Sequence, residues 1–215
     1  MKKLVATLLA LLLALSCIAC LAEEAETEIL FRGIPWGTSL AQLQRELPLQ
    51  TPYQASGISS IAYRMYGGAR GNYSAEIAIN AMYTSEGLKG IKVAGYDVGR
   101  INFNFAYVPQ DGKLVKDNEC TALYCALYMF APDNPSAAVD DLINKLSIVY
   151  GDVDLTTNGY YVWFGAEGTM VSLNLDGSEI YVKYSFAGGE ELLQNAQRAL
   201  DGVSDTPSDM DTEGL

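Results

Sequence analysis

Histidine is absent from all 215 residues. That removes the commonest general base, the usual imidazole metal ligand and any Ser-His or Cys-His nucleophile pair. Cysteine is scarce: there are four, and Cys17 and Cys20 fall within the first 22 residues. No thiolate set with structural-zinc spacing can be assembled from the other two. Cations are few, with 14 Lys and Arg against 26 Asp and Glu, for a net charge of −12. Nucleic acid and anionic membrane surfaces both reward Lys and Arg, so neither is an expected partner. Long apolar runs are missing everywhere but at the start. In "MKKLVATLLALLLALSCIACLA", Lys2 and Lys3 precede an apolar stretch from Leu4 to Leu15, and small residues lead to Glu23. This is the pattern of a secretory signal peptide, and the stretch is shorter than the roughly 20 residues of a spanning helix.

Residues 1–22 are therefore read as a leader cleaved after Ala22. Losing Lys2 and Lys3 takes the formal charge from −12 to −14. A lipoprotein is the competing reading, because Ala14-Leu15-Ser16-Cys17 and Cys17-Ile18-Ala19-Cys20 each resemble a degraded lipobox. A lipid chain would tie the protein to the membrane. Both readings place it outside the cytoplasm, extracellular or associated with the cell envelope. Residues 23–29 read as an acidic linker, 30–200 as a single domain, and 201–215 as a disordered acidic tail nearly free of apolar side chains.

Within the domain, "FRGIPWGTSLAQLQRELP" carries Leu40, Leu43 and Leu47 on one stripe, Ser39 as cap with Gln42 three residues on, and Pro48 as stop. So short a helix must lie on something, and Trp36 is placed to anchor it. A second helix opens at Asn134-Pro135, shows Val139, Leu142, Leu146 and Val149 in register, and ends at Gly151. A third is expected from Glu190 to Leu200. The remainder alternates. "INFNFAY", "TALYCALYMF" and "MVSLNLDGSEIYVKYSF", the last with an Asp176-Gly177 turn, read as strands with one covered face. "YYVWFG" precedes them as a neighbour, "ISSIAYRMY" and "YSAEIAINAMY" look like a pair, and "LKGIKVAGYDV" adds a strand before Ile101. The expected fold is α+β: a twisted antiparallel sheet of about 7–8 strands with two or three helices packed on one face. Each half gives a helix and then meandering strands, as an internal duplication would.

No catalytic constellation emerges. "GDVDLTTNG" offers Asp152, Asp154 and Thr156 at the first EF-hand spacings, but Gly159 is a residue late and Trp163 stands where the bidentate Glu belongs. "YGGARGNY" lacks the Gly-Lys-[Ser/Thr] of a phosphate loop. No cofactor or metal is expected. Cys120 and Cys125 lie too far apart along a strand to pair with each other, and Cys125 reads as a small core residue. The strands instead suggest a surface. Ile101, Phe103, Phe105, Leu123, Cys125, Leu127, Val171, Leu173, Ile180 and Val182 share the core parity. The opposite parity carries Asn102, Asn104, Tyr124, Tyr128, Asn174 and Tyr181, tyrosines and amides suited to contact. These six are the candidate binding residues. The alternatives are a half-exposed sheet on which Tyr is simply a good strand former, or a face covered by the terminal helix.

"FRGIPWGTSLAQLQREL", "IKVAGYDVGRINFNFAYV", "LINKLSIVYGD" and "VWFGAEGTMVSLNL" resemble a group of uncharacterised exported proteins of Gram-positive, clostridia-like bacteria, over most of Phe31 to Phe186. That resemblance implies an architecture and transfers no activity. The order helix-then-meander is also faintly similar to the repeated module of β-lactamase inhibitor proteins, which implies a binder using an open sheet face. The expected function is thus an exported, non-catalytic binding or interaction domain of the cell envelope, its partner a protein or a polysaccharide. The competing expectations are a carboxylate-dependent hydrolase of envelope polymers and a purely structural exported protein.

Overall fold

The computed structural model describes residues 28–47, 53–55, 61–63, 71–84, 88 and 91–202. The leader, the lipobox motifs, Pro48 and the tail beyond Gly202 lie outside the described residues. In chain order the elements are α1 (Leu40–Glu46), β1 (Tyr53–Ala55), β2 (Ile61–Tyr63), β3 (Gly71–Tyr73), β4 (Ala78–Thr84), β5 (Lys92–Val93), β6 (Tyr96–Asp97), β7 (Arg100–Tyr107) and β8 (Thr121–Phe130). Then come α2 (Pro135–Tyr150), β9 (Leu155–Thr157), β10 (Tyr160–Phe164), β11 (Thr169–Asp176), β12 (Glu179–Phe186) and α3 (Gly188–Asp201).

The fold is α+β. One eight-stranded sheet runs β1-β4-β7-β8-β12-β11-β10-β9, with every pairing antiparallel. The first half of the chain contributes α1 and four of these strands, the second α2, α3 and the other four, and the halves meet where β8 pairs with β12. The sequence pairs "ISSIAYRMY" with "YSAEIAINAMY". In the structure β2 and β3 form a separate small ribbon, while β4 goes to the main sheet between β1 and β7. The expected strand before Ile101 is likewise a two-stranded ribbon, β5 with β6.

The first face of the sheet holds the main core. Phe31 is fully buried at its centre, its ring 4.6 Å from Tyr128, 5.2 Å from Phe103 and 5.3 Å from Tyr184. Ile29, assigned above to a linker, is already part of this core and its N–H donates to Thr169 Oγ1 at 2.9 Å. Trp36 donates from Nε1 to the Ile29 carbonyl and stacks on Phe186. Residues 37 and 38 then run beside β8 where β12 has ended, exchanging backbone hydrogen bonds with Leu123. This is what α1 rests on. Ser39 caps it by accepting from the Gln42 N–H, and Leu40 and Leu43 are buried. The Gln42 side chain reaches Glu46 instead of closing a reciprocal capping box.

α2 begins and ends at the expected residues, with Asn134 accepting from the Ala137 N–H and Gly151 at φ 87°. Ala138, Val139 and Leu142 are buried and Ile143, Leu146 and Tyr150 pack half-buried against the same core, a stripe that follows the 3.6-residue period. Val149, expected in register, is 67% exposed because Tyr150 supplies the last contact with the core. α3 covers the opposite face, so the helices are split two against one. The turn that sends it there is tight. Gly168 (φ 70°) accepts from the Ala187 N–H, and a Cβ at Gly168 would lie 2.7 Å from the Ala187 Cβ.

Candidate functional site: a half-covered sheet face

Alternation places Asn102, Asn104 and Ala106 of β7 on the second face, and register carries that assignment across the sheet. It fails in the middle of β8. Asn104 lies opposite Cys125 and Phe105 opposite Leu123, which leaves Tyr124 as an inserted residue. Such a bulge shifts the parity of everything beyond it. Ala126, Tyr128 and Phe130 therefore point into the first-face core, and Cys125, Leu127 and Met129 turn to the second face. The sequence reading, which took β8 as one unbroken alternation, is corrected on both counts.

Tyr128 is accordingly withdrawn as a binding residue. It is 3% exposed against Phe31, its hydroxyl accepts from Arg32 Nη1 at 3.4 Å, and burial pushes its pKa up. Tyr124 does reach the second face, but it is 4% exposed in a small core with Cys125, Tyr73, Ile77, Leu193 and Ala196. The cover there is α3, which packs over β7 and β8 and against β3. Asn104 sits beside this core and is tied to Asn80, whose Nδ2 donates at 2.5 Å. Cys125 is buried, as expected, although under α3 and not in the main core; both Cys120 and Cys125 are free thiols.

The other half of the face is different. Successive pairings set Arg100, Met129, Tyr181, Asn174 and Tyr160 in one row across β7, β8, β12, β11 and β10. A second row carries Asn102, Leu127, Lys183, Ser172 and Val162. Arg100, Asn102, Leu127, Met129, Ser172, Asn174, Tyr181 and Lys183 are half-buried, Tyr160 is 42% exposed, and Val162 is fully buried. The Tyr181 hydroxyl donates to Glu179, two residues back on the same strand, and that bond raises its pKa. Arg100 makes no ion pair among the described residues. Its Nε and the neighbouring Asn102 Oδ1 are buried without a hydrogen-bond partner. Three of the six candidate residues, Asn102, Asn174 and Tyr181, are thus brought together. Arg100 and Tyr160 were missed, although parity alone, counted back from the buried Trp163, puts Tyr160 on this face.

Elsewhere, a cavity of about 460 Å³ opens between the β5–β6 ribbon and the start of α2, lined by Tyr96, Asp97, Phe130, Asp133 and Asn134 among others. The ribbon is held to the helix by Asp141. It accepts from Lys145 Nζ at 2.6 Å and from the Tyr96 hydroxyl at 2.7 Å, and Lys145 also donates to the Ala94 carbonyl. Lysine and tyrosine together lower the Asp141 pKa, and Lys116 does the same for Glu76. Both carboxyls are thereby held as anions, the opposite of what a general acid requires. In the EF-hand-like stretch, Asp154 accepts from the Phe164 N–H at 2.7 Å and serves the β9–β10 hairpin. Among the described residues no group of three or more His, Cys, Asp or Glu is placed to hold a metal.

Comparisons with protein-family models, with curated proteins and with solved structures found no match.

Proposed function

We propose that this chain is an exported, non-catalytic binding module whose partner docks on the open half of the second sheet face. The observation that supports this most directly is the division of that face. α3 buries Ala106, Tyr124 and Cys125, whereas the two rows that begin at Arg100 and Asn102 keep amides, tyrosines and two cations half-buried or exposed around the buried Val162. Polar and aromatic groups on a rigid strand platform provide adaptable hydrogen bonds and large contact area at little entropic cost. The likeness to β-lactamase inhibitor protein modules supports the same reading, since it too implies a binder built on a sheet face. The partner belongs to the cell envelope, as export implies, and the −14 charge of the chain after its leader argues against nucleic acid and anionic lipid.

Sedimentation with purified cell walls tests the reading. Tyr181→Ala, at a half-buried position, is expected to leave stability within about 0.5 kcal/mol and to weaken co-sedimentation roughly tenfold. Tyr128→Phe, on the sealed face, is expected to bind as the wild type does. Equal binding by wild type and Tyr181→Ala would refute the proposal.

A further inference from the structure

We infer that the partner on this face is an uncharged, extended β-1,4-linked polysaccharide lying across the strands along the row Arg100, Met129, Tyr181, Asn174, Tyr160. The inference rests on the docking reading above and names its ligand class. Neighbouring strands lie about 4.8 Å apart, so Tyr181 on β12 and Tyr160 on β10 stand roughly 10 Å apart along the row. That is about the length of a disaccharide unit in an extended β-1,4 chain. Successive sugars in such a chain are turned over, so every second one presents the same face. Two tyrosines at this spacing meet equivalent faces of sugars i and i+2. Asn174 lies on the strand between them, where its amide can serve the intervening hydroxyls.

The Tyr181 hydroxyl bonds to Glu179 on its own strand. That bond limits the rotamers open to the ring, so less side-chain freedom is lost when a ligand binds against it. The row crosses five strands, room for about four sugars. Charge points the same way. Asp176 and Glu179 pair at the hairpin end of the face that carries Arg100 and Lys183, so two carboxylates and two cations share this part of a strongly acidic protein. A balanced patch matches an uncharged polymer and gains nothing from a polyanion or polycation. Arg100, Asn102 and Ser172 supply hydrogen-bonding groups along the chain's flank.

Titration calorimetry of the exported chain with cellohexaose and chitohexaose tests this, with the corresponding disaccharides and a hexa-galacturonate as controls. At least one neutral hexaose should bind, and its disaccharide should bind at least tenfold more weakly. Tyr160→Ala and Tyr181→Ala should each cost roughly tenfold, the worth of one aromatic contact, with an unchanged thermal midpoint. Tyr160→Phe should retain binding. Preference for the acidic hexamer, or hexaose binding indifferent to both alanine variants, would overturn the inference. If neither hexaose binds while cell-wall binding still depends on Tyr181, the glycan assignment falls and the docking face stands. If cell-wall binding is also indifferent to Tyr181, both fall.

Discussion

The two faces of the central sheet are built from the same strands and differ in what covers them. The first is closed by the Ile29–Ile34 turn, α1, the β5–β6 ribbon and α2, around the fully buried Phe31 and Trp163. The second is closed by α3 over Ala106, Tyr124 and Cys125 and is half-buried along the two rows that run from Arg100 and Asn102 to β10, in which Val162 is fully buried. The sealed face carries aromatic and aliphatic side chains with interlocking rings. The partly covered face carries apolar groups where the helix lies, and where it does not, amides, tyrosines and cations interspersed with Leu127, Met129 and Val162. On β8 the cover of α3 ends between Cys125, buried beneath it, and the half-buried Leu127.

The comparison can be broken hardest at Phe31. Phe31→Ala removes a ring in contact with Phe103, Tyr128 and Tyr184 and should cost about 3–5 kcal/mol, measured by urea denaturation. Leu193→Ala under α3 should cost about 2–4 kcal/mol. It should also open the smaller core, so that Cys125 becomes reactive to a maleimide while the more exposed Cys120 labels at its former rate. Equal protection of Cys125 before and after would mean that α3 is not its cover.

Alkali sharpens the contrast next. Burial raises the pKa of Tyr184 and Tyr128 above the ordinary 10.0. Their contribution is fully present below pH 10 and is lost as the pH rises towards their folded values, because the unfolded chain releases those protons first. Thermal midpoints should therefore fall above pH 10, and less steeply in Tyr184→Phe. The smallest effect belongs to Asp141→Asn at the ribbon–helix junction. Its folded pKa is lowered by Lys145 and Tyr96. The wild type should hold a slight advantage in midpoint at neutral pH, and that advantage should vanish as the pH falls through the ordinary aspartate range. An advantage that persisted in acid would place the effect in packing instead.

Alternation, caps and turn residues were enough to reveal most of the architecture. Asn134-Pro135 and Gly151 bound α2 as read, and Gly177 makes the tight turn between β11 and β12. These signals are local, and each acts within a few residues of where it is written. The candidate site was legible only in part. Asn102, Asn174 and Tyr181 lie on strands whose alternation is unbroken, and they fall on the open face. Tyr124 and Tyr128 lie at and beyond an inserted residue that no neighbouring turn signal announces, and the parity of one strand cannot disclose a slip that exists only relative to another.

The sequence alone determined that this protein would be a sheet with amphipathic helices laid on it, because period and capping are properties of the chain itself. The tertiary structure decided which side each residue serves. Pairing with β7 sets the bulge in β8, and the close passage of Gly168 and Ala187 helps direct α3 to the second face. Both depend on contacts between segments far apart in sequence, and those contacts form only once the chain has folded.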